Sequence, residues 1–111
     1  MNESTITILG EDLTIGFNMA VEIAFEEIAG VPFNTSELET QKNSMALYMA
    51  AILTFNPQTK ITFDEIVMKA SASEINILGQ AVINAMKKWM AIPDVVDIDE
   101  KPKDDGEKPK N

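Results

Sequence analysis

Between Met45 and Phe55 the chain offers almost no polar face. Met45, Leu47, Tyr48, Met49, Ile52, Leu53 and Phe55 stand with Ala46, Ala50 and Ala51 between them. A helix that is apolar nearly all round must be covered on most sides, and this run is too short to cross a bilayer. The rest of the chain is therefore expected to wrap around it. The spacing predicts a central helix that starts at a capping box, Ser36 to Glu39 (SELE), runs to about Thr54 and is ended by Asn56 and Pro57.

The flanking segments supply the cover. Ser4 to Leu9 (STITIL) and Asp12 to Phe17 (DLTIGF) alternate apolar and polar residues, as strands do. Gly10 and Glu11 between them suit a hairpin turn. Ile6 and Ile8 then lie on one face, and Leu13, Ile15 and Phe17 form the matching face opposite. An isolated hairpin is marginal in water, so this one must pack on helices. Asn18 is a good N-cap for a helix over Met19 to Ala29, whose Val21, Ala24, Phe25 and Ile28 form a core stripe. Gly30 supplies a left-handed C-cap, with Pro32 beyond it. Thr62 to Glu65 (TFDE) is a second capping box, with Ile61 and Ile66 placed for a hydrophobic staple. It opens a short helix that ends near Ala70 and carries Phe63, Ile66, Val67 and Ala70 on one stripe. Ser73 is read as the cap of a last helix to about Ala91, with Ile75, Leu78, Val82, Ala85 or Met86, and Trp89 facing inward. Gly79 costs that helix about 1 kcal/mol relative to Ala, which a close helix crossing would explain.

The expected fold is thus α+β and mainly α: an N-terminal β-hairpin packed on about four helices, as a single domain over residues 1–92. Residues 94–111 carry seven acids, four lysines, two prolines and one Gly. A segment of that kind does not repay its ordering entropy, so 93–111 is expected to be a disordered charged tail.

Charge and side-chain chemistry then narrow the function. The formal charge of the 111 residues is −9. Residues 1–41 hold Glu3, Glu11, Asp12, Glu22, Glu26, Glu27, Glu37 and Glu39 and no base, and the chain has no Arg. Such a chain repels phosphate backbones and anionic membranes, so neither nucleic acid nor membrane is an expected partner. With no His and no Cys, the commonest general base, metal ligand and thiolate nucleophile are missing. No enzyme activity, cofactor or metal site is expected. Lys69 and Ser71 form a Ser–Lys pair only on paper, since no strained Gly-rich turn accompanies them. Asp97, Asp99 and Glu100 lack the central Gly and closing Glu of a calcium loop.

What remains points to binding. Glu22 and Glu26, at i and i+4, are either a solvated helix face or a carboxylate pair awaiting a basic partner, because like charges at that spacing cost a few tenths of a kcal/mol. Met45 and Met49 repeat at i and i+4 on the central helix, as do Met86 and Met90 beside Trp89 on the last. Such methionines either fill gaps in a core or line a groove that accepts apolar partners. The same stripes can close a homo-oligomer.

The order of motifs adds a family resemblance. The hairpin TITILGEDLTIGFN, the helix MAVEIAFEEIAGVPFN, the apolar helix MALYMAAILTFNP and the start ITFDEIVMKA are followed by an amphipathic helix and a charged tail. Over roughly residues 4–92 this resembles the tail assembly chaperones of siphophages and related prophages. The resemblance implies a non-catalytic protein of the bacterial host cytoplasm, absent from the mature virion. It would bind the tape-measure protein and recruit tail-tube protein, and it would often have a frameshift-extended form. The family has no catalytic residues to carry over. A different reading of the base-free first 41 residues is a small acidic DNA-mimic inhibitor or adaptor, which would need a continuous carboxylate stripe.

Overall fold

In the computed structural model, which describes residues 3–90, β1 (Ser4–Ile8) and β2 (Glu11–Ile15) form an antiparallel pair with Ile6 opposite Leu13 and Ile8 opposite Glu11. Four α-helices follow: α1 (Met19–Ala29), α2 (Gln41–Phe55), α3 (Phe63–Lys69) and α4 (Ala72–Met90). The expected charged tail and the calcium-loop residues Asp97, Asp99 and Glu100 lie outside the described residues.

The hairpin turn is one residue earlier than expected. Leu9 and Gly10 both have positive φ, 52° and 80°, as in a two-residue type I′ loop, which puts Gly at its second position. Positive φ is costly for Leu. The Leu9 N–H is held by the Glu74 carboxylate at 2.7 Å, a charge-assisted bond that offsets part of that cost. Ile8, Leu13, Ile15 and Phe17 are buried on the face expected of them.

α1 begins and ends where its sequence signals stand. The Asn18 side chain accepts the Val21 N–H, and Gly30 closes the helix at φ 77°. The next start is corrected. Ser36 does not open the central helix: Asn34 caps a short 3₁₀ helix, Thr35–Glu39, and Thr40 caps α2 by accepting the Asn43 N–H. The buried Asn43 amide donates to Glu37 O and the Ser44 hydroxyl to Leu38 O, so α2 satisfies carbonyls of the 3₁₀ helix that precedes it. The Thr62–Glu65 capping box on α3 is present in both directions. The cap of α4 is Ser71, not Ser73: Ser71 Oγ accepts the Glu74 N–H and Glu74 Oε1 accepts the Ser71 N–H, a reciprocal box that outcompetes a lone hydroxyl.

α2 is the hub. It packs against α1, α3, α4 and β2, whereas α4 also crosses both strands and α1 approaches no helix or strand but α2 among the described residues. Ala46, Leu47, Ala50, Ala51 and Ile52 are buried, which is the cover that the apolar run demands. Phe17 joins the two ends of the core: its ring centroid is 5.8 Å from Phe33 and 5.7 Å from Trp89. Gly79 sits at the crossing of α2 and α4, where a Cβ would stand 2.8 Å from the Tyr48 hydroxyl.

Candidate partner-binding site

α3 is too short to cover what α2 leaves open. Its seven residues bury only Ile66, and two open clefts adjoin it, one along the helix and one at its start. The first, about 420 Å³, lies between α2, α3 and the start of α4 and is lined by Met45, Tyr48, Ile66, Val67, Ala70 and Ile75. Glu39, Thr40, Gln41 and Ser44 form its polar rim. The second, also about 420 Å³, lies between the end of α1, α2 and the α2–α3 connection, with Ile28, Met49, Leu53, Ile61 and Phe63 as its apolar lining. Phe63 lines the second cleft, and Val67, one turn along α3, lines the first. Val67, Leu53 and Ile28 are exposed, and Met68 on α3 is 79% exposed. Large apolar side chains concentrated in this way mark a surface that another molecule can cover.

Local sequence explains the arrangement. α3 carries Phe63, Ile66, Val67 and Met68 within six positions, more apolar surface than one face of a seven-residue helix can bury. Its capping box fixes where it begins, and the Ala70 N–H bonded to Ile66 O fixes where it ends. Among the described residues, α2 is the one element that its backbone approaches closely.

The sequence-predicted site residues divide. Met45 lines the first cleft. Met49 and Met86, at 4% and 7% exposure, belong to the core, and Met49 meets the second cleft only at its floor. Trp89 is partly buried against Phe17, and Met90 is exposed at the end of α4. Met45 and Met86 are not facing walls of one groove. Met45 shares its cleft with Ile75, and Met86 stands about 16 Å farther along α4 at the helical rise of ~1.5 Å per residue. Glu22 and Glu26 lie on α1, away from both clefts. Sequence reasoning placed Tyr48, Leu53, Phe63, Val67 and Ile28 in the core rather than in a cleft wall. The signal available was the adjacent pair Val67 and Met68, whose side chains point about 100° apart on a helix and cannot share one buried stripe.

Two carboxylates have shifted pKa values. Glu22 is raised, first by partial burial and then by the neighbouring charge of Glu26. Glu74 is lowered by the backbone N–H groups of Ser71 and Leu9. Ser71 spends its hydroxyl on the α4 cap and Lys69 is exposed at the end of α3, so the two form no nucleophile–base pair. Among the described residues no group of three or more His, Cys, Asp or Glu is placed to hold a metal ion, and no helix is long and apolar enough to cross a membrane.

The fold and clefts define a small helical domain with an N-terminal hairpin and an open apolar surface around one short helix. No protein-family model, curated protein or solved structure matches the chain, so what this surface can do is read from its own chemistry.

Proposed function

We propose that the protein is a non-catalytic assembly chaperone of the phage-tail type. The observation that carries this reading is the pair of largely apolar open clefts beside α3. An amphipathic helix of a client lays its apolar face in such a cleft through anchors at i, i+3, i+4 and i+7. Met45, Tyr48 and Val67 give one wall set for those anchors, and Leu53 and Phe63 another. Thioether side chains and short α3 let the lining adjust to different apolar side chains. The acidic remainder of the surface keeps a complex with an aggregation-prone client in solution.

The motif order described above supplies the client: the tape-measure protein, with tail-tube protein joining the complex, in the host cytoplasm and not in the virion. The test is co-expression of the full chain with a phage tape-measure protein. The soluble fraction of the client is expected to rise, and Val67→Asp is expected to abolish the rise while leaving the chaperone's own melting temperature nearly unchanged, because Val67 is exposed. No gain in client solubility, or equal gain with Val67→Asp, overturns the reading. Displacement of DNA from a nuclease or repressor by the purified protein would instead favour the DNA-mimic alternative.

A further inference from the structure

Among the described residues, the outer face of α1 is another surface with no partner. Met19 and Ile23 stand one turn apart and are 55% and 53% exposed. They project opposite to Val21 and Phe25, which are fully buried. At about 100° per residue, Glu22 and Glu26 run along one side of this apolar pair and Glu27 along the other. α1 has α2 as its only close neighbour among the elements of the described residues, so nothing there covers the face. Ile28, the α1 residue in the second cleft, points about 140° away from Ile23 around the helix, which keeps the two surfaces separate.

We propose that this face docks a helical segment of another protein that carries an apolar ridge flanked by lysines or arginines. Charge complementarity selects that occupant. Residues 1–41 contain eight acids and no base, so α1 has no cation of its own close in sequence. Glu26 is held in position by accepting the Phe33 N–H at 2.9 Å. The pKa of Glu22 is raised, first by partial burial and then by the like charge of Glu26 one turn away, which a cation docked on this face would offset. Ile is a mediocre helix former and gains nothing by facing water, so Ile23 is better suited to an interface than to a solvated face. The apolar pair also parts Glu22 and Glu26 from Glu27, which suits a ridge between two cationic rows better than it suits a mimic of a phosphate backbone. Like charge disfavours a second copy of a chain with net charge −9, as well as anionic lipid.

Titration of the full isotope-labelled chain with short synthetic helices tests this. The probes are a leucine ridge flanked by lysines, the same ridge flanked by glutamates, and the lysine version with serine in place of leucine. The leucine–lysine helix is expected to shift amide signals over Met19–Glu27, and the other two are expected not to. Ile23→Asp should weaken binding about tenfold, the equivalent of losing half or more of one buried apolar side chain. Glu22→Gln with Glu26→Gln should weaken it and flatten its salt dependence, and Val67→Asp should leave it unchanged. The proposal is overturned if the shifts fall on the clefts around α3, if the serine version binds equally well, if Ile23→Asp has no effect, or if the unliganded chain self-associates through α1. Loss of client rescue by Val67→Asp with this binding intact separates the two surfaces.

Discussion

At the scale of single residues, the hairpin depends on a side chain from outside it. Among the described residues no third strand pairs with the outer edge of β2, and Asn56 fills one rung of it. Its Oδ1 accepts the Thr14 N–H at 2.9 Å while its Nδ2 donates to Thr14 O at 2.7 Å, imitating a strand peptide. The same amide also donates to Ile52 O at the end of α2. Asn56→Ala is expected to cost about 2 kcal/mol, from two or three partly buried hydrogen bonds at roughly 0.5–1.5 kcal/mol each. A lower urea midpoint with an unchanged slope would show it. Two carboxylates act on stability with opposite signs. Glu74 is lowered by the N–H groups that bind its charged form. Its contribution is full above the ordinary carboxylate range and is lost as pH falls through its lowered folded value. Glu74→Gln should therefore lower stability at neutral pH and flatten the acid limb of a melting-temperature profile. Glu22 is raised, by burial and by Glu26. The folded state then binds its proton more tightly than the unfolded chain, so stability falls as pH rises from the ordinary value through the raised one. Glu22→Gln should raise the melting temperature at neutral pH, and an unchanged or lower value would contradict the assignment.

At the scale of elements, α2 and α4 meet through one glycine. Replacing Gly79 by Ala improves helix propensity by about 1 kcal/mol, but the new Cβ would lie 2.8 Å from Tyr48 Oη and 3.1 Å from Tyr48 Cζ. The ring has to move, so Gly79→Ala is expected to destabilise the wild-type chain. In a Tyr48→Ala background the same change should stabilise by about 1 kcal/mol, the propensity term alone. A double-mutant cycle on urea midpoints measures the difference as a coupling energy. That crossing was legible before the structure, because a Gly inside an otherwise strong helical pattern needs a neighbour that approaches closely. So were the ends of α1 and the start of α3, where a single cap candidate stands at each position. The element starts that moved are those where neighbouring hydroxyl and amide side chains compete. Asn34, Ser36 and Thr40 are all competent caps, and the bonds that Asn43 and Ser44 make back to Glu37 and Leu38 favour Thr40. Ser71 prevails over Ser73 because Glu74 is three residues from Ser71 and binds the hairpin turn with its other oxygen. The hairpin turn itself moved to Leu9 and Gly10 through that same long-range bond, which local spacing does not contain. The clefts were hidden for a related reason. Periodicity says that Tyr48, Phe63 and Val67 turn inward, but whether a neighbour is there to meet them depends on the length and seating of α3.

At the scale of the whole molecule, salt separates the forces that act within the fold from those that act between molecules. The free chain carries a net charge of −9, with eight acids and no base in its first 41 residues. Self-repulsion of that kind opposes the compact state, and the screening length shortens from about 30 Å at 0.01 M salt to about 8 Å at physiological ionic strength. Adding sodium chloride from low ionic strength should therefore raise the melting temperature of the free protein by a few degrees. Docking on α1 joins opposite charges, so the same salt should weaken it. Insertion of an apolar helix into the clefts around α3 releases little charge and should change least. Three signs from one titrant distinguish the three terms, since hydrophobic burial alone would move folding and both docking events in the same direction. The measurement is a melting curve of the free chain and two binding isotherms, one for the leucine–lysine helix and one for a neutral amphipathic helix, across a common series of salt concentrations. A melting temperature that falls as salt is added would mean that attraction between unlike charges, not repulsion among carboxylates, governs the fold. The carboxylates of α1 would then be no reservoir of repulsion for a cationic partner to relieve.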